Sequence, residues 1–290
     1  MWFRIAGVPH HVRVEGSGPL CVLSAGLGLT WFDWDPVVPL LAPHRTVVRF
    51  DRPGHGLSAP ALVPPSAVGE GHRIAAVVRA LGPAADLAAG AGTGVTVVGH
   101  SIAGFHVEAF ARLHPSMTAG VVLVDSSVEE DARTPAAPAL RTAAAAVAGG
   151  ALGAVGVPAA VGPTARRLAV RSARTGGGDP APRDLVRRCY GTTRVLRGAL
   201  LENAHYRAVA AELLALRERR PLPAGVPVTV LAASAGGPRW LARQQRLAAV
   251  LGARFHEVRP AGHLLMLDRP DAVARAVLDG GSAGRGQPLA

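Results

Sequence analysis

Ser101 stands in the stretch Val95-Thr96-Val97-Val98-Gly99-His100-Ser101-Ile102-Ala103-Gly104. The run Val95 to Val98 has the composition of a buried strand. Small residues follow, and then an apolar helical pattern in Phe105, Val107, Ala109 and Phe110. A serine on a sharp turn between strand and helix has the geometry of an acyl-transfer nucleophile. The turn lifts the hydroxyl clear of the sheet, and the start of the helix offers N–H groups to a developing oxyanion. The match to G-x-S-x-G is approximate, because Ala103 stands where a second glycine is usual. Alanine is the mildest departure, since close strand–helix contact demands a small side chain.

Such a serine needs a base, and usually a carboxylate to orient that base. The chain has eleven histidines. His100 adjoins Ser101, so at a sharp turn its side chain points elsewhere. His106 falls on the helix behind the serine. His55 lies in a dense turn, where a packing role is the plainer expectation, and His205 falls in a helical insertion. His263 follows the last expected strand, directly after Gly262, in a loop at the carboxyl edge of the sheet. It is the best-placed base by reach; the plainer alternative is a surface loop histidine.

The elements that must position these residues read as alternating strands and helices. Phe3 to Ile5 and His10 to Val14 read as short strands broken at Gly7-Val8-Pro9. Leu20 to Ser24 and Thr46 to Phe50 are more apolar strands. The first ends in Ala25-Gly26-Leu27-Gly28, the second in Asp51-Arg52-Pro53-Gly54-His55-Gly56-Leu57-Ser58. Trp31 to Leu41 and Gly71 to Ala89 have helical spacing. Ala119 to Val124 is a strand ending at Asp125-Ser126-Ser127. Further on come a strand at Val226 to Ala232, a helix at Leu241 to Leu251, a strand at Phe255 to Val258 and a helix at Asp271 to Leu278. Short apolar strands alternating with helices imply βαβ units and a mostly parallel sheet buried on both faces. Functional groups of such sheets collect at the carboxyl ends of the strands, where Leu27, Asp51, Ser101 and Asp125 all fall.

That rhythm breaks between Val128 and Pro221. Thr142 to Gly162 carries no charge and is mostly alanine, glycine and valine. Its length is about that of a bilayer span, but alanine and glycine transfer weakly into lipid. Pro158 and the glycines also weaken a single helix. The expectation is an apolar helical insertion over a pocket rather than a membrane span, with Leu185 to Arg219 helical at its end.

Composition excludes other classes. The formal charge is +11, yet every one of the 31 Lys+Arg residues is arginine, and the arginines are scattered without interleaved aromatics. A nucleic-acid partner is not expected. The two cysteines suggest neither a disulfide framework nor a zinc site. No phosphate loop, dinucleotide fingerprint or metal cluster is legible, so neither metal nor cofactor is expected. The N-terminus lacks a signal-peptide pattern, and the expected location is cytoplasmic.

The ordered set Ser24-Ala25-Gly26-Leu27-Gly28, Asp51 to Ser58, Gly99 to Gly104 and Ala261-Gly262-His263 resembles the α/β-hydrolase superfamily over nearly the whole length. The resemblance implies a core of residues 1–127 and 221–279, a helical cap at 128–220 inserted after the sixth strand, and a tail at 280–290 expected to be disordered. It implies Ser101 as nucleophile, His263 as base, and an oxyanion hole from the backbone N–H groups of Leu27 and Ile102. Ala25 stands where that family commonly has histidine. The family's commonest acid position follows the strand Val226 to Ala232, where Ala233-Ser234-Ala235-Gly236-Gly237-Pro238 has no carboxylate. Asp125, at the end of the strand after the nucleophile's, is the natural substitute, with Glu129, Glu130 and Asp131 nearby. Ser101 argues against dehalogenase or epoxide hydrolase chemistry, which in this fold uses aspartate there. Trp31 or Phe32 is a candidate for the pocket wall, and Trp240 is expected to be structural.

The expectation is therefore a cofactor-independent serine hydrolase of carboxylic esters acting on a small apolar acyl or aryl substrate. Acyl transfer, thioester hydrolysis and C–C cleavage with the same residues remain open. So does a ligand-binding protein that has lost turnover, as does the oligomeric state.

Overall fold

The computed structural model describes residues 1–82 and 94–280. Eight strands form one sheet: β1 (Trp2–Ile5), β2 (Val8–Glu15), β3 (Leu20–Ser24), β4 (Thr46–Phe50), β5 (Val95–His100), β6 (Thr118–Val124), β7 (Val228–Ala233) and β8 (Arg254–Val258). Their order is β1-β2-β4-β3-β5-β6-β7-β8. β1 and β2 pair antiparallel, as do β2 and β4, and all pairs from β4 onward are parallel. Every residue of β3, β4, β5 and β7 is buried, which is why these segments read as unbroken apolar runs.

The helices are α1 (Val38–Leu41), α2 (Ala67–Ala80), α3 (Ala103–Leu113), α4 (Pro138–Ala154), α5 (Val157–Ser172), α6 (Arg183–Tyr190), α7 (Thr193–Arg219), α8 (Gly237–Leu251), α9 (Leu265–Asp268) and α10 (Pro270–Gly280). Alternate strand residues serve opposite faces. Val22 and Val97 pack with Ile74, Phe110 and Leu247 of α2, α3 and α8. Leu23 and Val98 pack with Leu41, Leu265 and Val277 of α1, α9 and α10. The strand period of two thus feeds two cores from one sheet.

Several expected elements differ in detail. Trp31 to Leu41 is a short 3-10 turn, Trp31–Trp34, followed by α1, with Pro36 between them. The expected helix from Gly71 to Ala89 begins earlier, with Ser66 accepting from Gly69 N–H as its N-cap, and ends at Ala80; residues 83–93 lie outside the described residues. Leu185 to Arg219 is two helices, interrupted at Gly191 and restarted by Thr192, whose side chain accepts from Val195 N–H. The expected tail at 280–290 lies, from 281 onward, outside the described residues.

Between β6 and β7 the described structure is helical. The uncharged run at 142–162 is divided between α4 and α5, which meet at a bend of 105°. Gly156, with φ 75°, occupies the corner. Among the described residues no single helix is long and apolar enough to cross a membrane. α7 anchors this segment to the sheet, because Val209 and Leu213 pack against Ile102 and Phe105 beside the turn that carries Ser101.

Candidate active site

Ser101 has φ 54°, the left-handed region that non-glycine residues rarely occupy. Its neighbours hold it there. Ser101 N–H donates to Val124 O at 3.2 Å, and Ser101 O accepts from Ser127 N–H at 3.0 Å. Two glycines permit the close approach. A Cβ at Gly99 would fall 2.3 Å from the carbonyl oxygen of Ala103, and one at Gly104 would fall 1.9 Å from Ser126 Oγ. The tight position after the serine is therefore Gly104, and Ala103 fits fully buried as alanine.

Asp125 ends β6 one strand over, also with positive φ, 41°. Its carboxylate is fully directed. Oδ2 accepts from His263 Nδ1–H at 2.6 Å. Oδ1 accepts from Ala233 N–H at 2.9 Å and from Trp240 Nε1–H at 2.7 Å. Donation from Nδ1 leaves the His263 Nε2 lone pair free to act as a base. Glu130 instead pairs with Arg246 at the surface, 2.9 Å away.

His263, Ser101 and Leu27 line one cavity of about 500 Å³. The helical segment contributes a mostly apolar lining, including Val161, Ala165, Val195 and Ala199, with Arg166 also on it. Ile102 is buried directly after the serine. Leu27 sits in a turn closed by Leu29 N–H donating to Gly26 O at 3.1 Å.

Trp31 and Phe32 require a correction. Neither lines the cavity that contains Ser101. The 3-10 turn rotates both inward, where they pack with Cys189, Leu57 and Tyr190. Arg49 covers the Trp31 ring at 5.1 Å and Arg166 the Phe32 ring at 5.8 Å. Their place in the sequence directly after the Leu27 turn suggested the pocket wall, but in the 3-10 turn both are buried away from it. The aromatic residue on the cavity wall is Tyr190, whose hydroxyl donates to Gly28 O at 2.9 Å.

Three supporting groups were not legible as such. His100 Nε2–H donates to His263 O at 2.8 Å, and the two rings lie 4.7 Å apart. Burial, and then the neighbouring His263, push the His100 pKa well below the usual histidine value. A neutral His100 thus holds the His263 backbone. Trp240 reaches Asp125 directly. The third group is a buried ion pair. Arg52 Nε donates to Glu202 Oε1 at 2.8 Å and Nη2 to Oε2 at 3.0 Å.

The same guanidinium donates to Gly26 O at 2.8 Å and to Ala25 O, while Gly28 N–H donates to Glu202 Oε2 at 3.3 Å. The pair from β4's loop and α7 thus braces the backbone around Leu27, where Ala25 offers no polar side chain. Burial pushes Glu202 upward, but Arg52 and then His55 outweigh it through charge and hydrogen bonding and hold the carboxyl well below its usual range.

His55 belongs to the same brace, with Nε2 3.2 Å from Glu202 Oε2 and Nδ1–H donating to Pro53 O at 3.2 Å, whereas His205 on α7 pairs with Thr142 Oγ1 at 2.8 Å. Both cysteines are free and buried, with thiol pKa values pushed up to about 12 by burial. Among the described residues no group of three or more His, Cys, Asp or Glu is arranged to hold a metal ion.

Comparison with known proteins places this geometry. The model of the alpha/beta hydrolase family matches residues 21–276. Among solved structures, Cfl2 from Burkholderia cenocepacia superposes with a TM-score of 0.70 at 22% identity, covering 96% of this chain and 94% of that one. An enol-lactonase from Burkholderia xenovorans gives 0.65 at 22% identity, covering 97% and 99%. A variant of a putative epoxide hydrolase from Pseudomonas aeruginosa gives 0.72 at 22% identity, covering 98% and 95%. At these identities the likeness establishes the fold.

Proposed function

The chain belongs to the alpha/beta hydrolase family, and on that premise we propose that it is a cofactor-independent serine hydrolase, cleaving a carboxylic ester of a small apolar substrate through an acyl-enzyme. The observation that carries the reading is the 2.6 Å contact between His263 Nδ1 and Asp125 Oδ2, with Ser101 and His263 lining one cavity. In this reading His263 Nε2 takes the Ser101 proton as Oγ attacks the carbonyl carbon. The N–H groups of Leu27 and Ile102 hold the oxyanion, a donor set worth ~3 kcal/mol per hydrogen bond in related chemistry. His263 then gives the proton to the leaving oxygen, and water, deprotonated by the same imidazole, releases the acid. Asp125 keeps the proton on Nδ1 and stabilises the imidazolium.

The helical segment at 128–220 serves as the cap over the cavity in this reading. Its lining is mostly valine and alanine, and the charge of Arg166 beside them is paired with Asp33 and Asp179, which suits an uncharged acyl or aryl group. One structural neighbour is an enol-lactonase, and a lactone is an ester within the same class. Another is called a putative epoxide hydrolase. Epoxide opening by a carboxylate nucleophile needs a carboxylate at the turn, and this chain has the Ser101 hydroxyl. Chromogenic p-nitrophenyl esters of graded acyl length, with lactone and thioester substrates alongside, test the reading. Turnover of short and medium esters that disappears in Ser101→Ala is the expected result. Turnover of none of these substrates would contradict it.

A further inference from the structure

Helix α8 carries three residues on one face whose polar atoms all reach the segment that follows β6. Trp240 Nε1–H donates to Asp125 Oδ1 at 2.7 Å, Gln244 Nε2–H donates to Ser126 O at 2.6 Å, and Arg243 donates to Val128 O. Positions i, i+3 and i+4 share a helix face, so one rigid element fixes Asp125 and the backbone just after it. Gln244 is fully buried, which excludes solvent from competing for the Ser126 carbonyl. The position of the indole is also specified locally. A Cβ at Gly236 would lie 2.2 Å from Trp240 Cδ1, so only glycine leaves room for the ring here. Arg243 covers the indole at 5.8 Å.

From this geometry we infer that Trp240 is a positioning residue for catalysis, holding the Asp125 carboxylate in the orientation and charge distribution that His263 requires. The inference rests on the reading of Asp125 as the acid partner of His263. Asp125 Oδ1 has two donors, and only Ala233 N–H belongs to the sheet. Removing the indole N–H leaves Oδ1 with the Ala233 N–H alone and loosens the carboxylate about its Cβ–Cγ bond. It also concentrates negative charge on Oδ2, which favours the imidazolium over the free base.

The test replaces Trp240 in the full chain in two ways. Trp240→Phe removes the donor and part of the ring. Substitution by β-(3-benzothienyl)alanine, through an expanded genetic code, keeps the bicyclic shape and removes only the N–H. The readouts are kcat and KM for p-nitrophenyl butyrate, the pH profile of kcat/KM, and thermal midpoint, with Asp125→Asn in parallel. The expected result for the benzothienyl variant is an unchanged thermal midpoint and KM with kcat lowered roughly ten- to a hundredfold, as for the loss of one hydrogen bond to a charged group. The acidic limb of its pH profile moves to higher pH by about half a unit or more.

Wild-type kcat and an unmoved limb in the benzothienyl variant would overturn the inference. If Asp125→Asn is then inactive, the acid assignment stands and only the role of Trp240 falls. If Asp125→Asn is as active as wild type, the acid assignment itself fails, and the inference with it. A Trp240→Phe protein that does not fold leaves the decision to the isosteric variant.

Discussion

His263 Nδ1 lies 2.6 Å from Asp125 Oδ2, across a sequence separation of 138 residues. The two loops that meet there leave β6 and β8, which have β7 between them in the sheet. Asp125 is therefore the carboxylate that faces the imidazole, although the loop after β7 has none.

Asp125→Asn should lower kcat by about four orders of magnitude. The amide oxygen can still accept from Ala233 N–H and Trp240 Nε1–H, which turns the NH₂ group toward His263. Nδ1 must then accept, and Nε2 carries the proton and cannot act as a base. Steady-state kinetics with a chromogenic ester check this, and a thermal midpoint within a few degrees of wild type separates it from unfolding.

Glu202→Gln should destabilise the protein and slow reaction at Ser101 together. The substitution strands a fully buried Arg52 charge, and breaking a buried pair this way costs about 3–5 kcal/mol. It also weakens the brace on the backbone at Ala25, Gly26 and Gly28. Denaturant unfolding measures the first effect. The second is a fall in kcat measured well below the melting temperature.

Stability should decline on acidification through His106. Burial lowers its folded-state pKa from 6.5 to about 4, with Arg52 acting in the same direction and Glu70 against it. Between those values the unfolded chain binds the extra proton and the folded one does not. Stability from this group is therefore whole above pH 6.5 and is lost progressively as pH falls toward 4, by ~3 kcal/mol in all. Neither ring nitrogen of His106 has a hydrogen-bond partner. His106→Leu should thus be tolerated at neutral pH and should flatten the pH dependence of unfolding between pH 6.5 and 4.

Gly104→Ala should cost about 1–3 kcal/mol through overpacking, because the new methyl meets Ser126 Oγ and Cβ. A second change, Ser126→Gly, removes both atoms and should recover part of the loss. Gly99→Ala meets the Ala103 backbone instead, so no side-chain substitution should rescue it. Chemical denaturation of the single and double variants checks both statements.

The parts of this molecule that were legible in the sequence are those written locally. The strands β3 to β6 announce themselves as apolar runs, and the turn at Ser101 is marked by the small residues that its packing requires. His263 was identifiable because a short loop after the last strand can only lie at the sheet's carboxyl edge. What was not legible depends on contacts between distant segments. Trp240 meets Asp125 across 115 residues, and Glu202 meets Gly28 across 174; no local pattern encodes either. Trp31 and Phe32 were misplaced for a different reason. They follow the Leu27 turn in sequence, and aromatics commonly line pockets, but both rings pack into the core with Cys189 and Tyr190.

Covalent labelling with a fluorophosphonate probe tests the central claim most directly, since it requires an activated serine but no knowledge of the substrate. Peptide mapping of the folded protein should find one adduct, on Ser101, absent in Ser101→Ala and formed far more slowly in His263→Ala. A folded wild-type protein with no adduct on Ser101, or labelling that persists in Ser101→Ala, would contradict it.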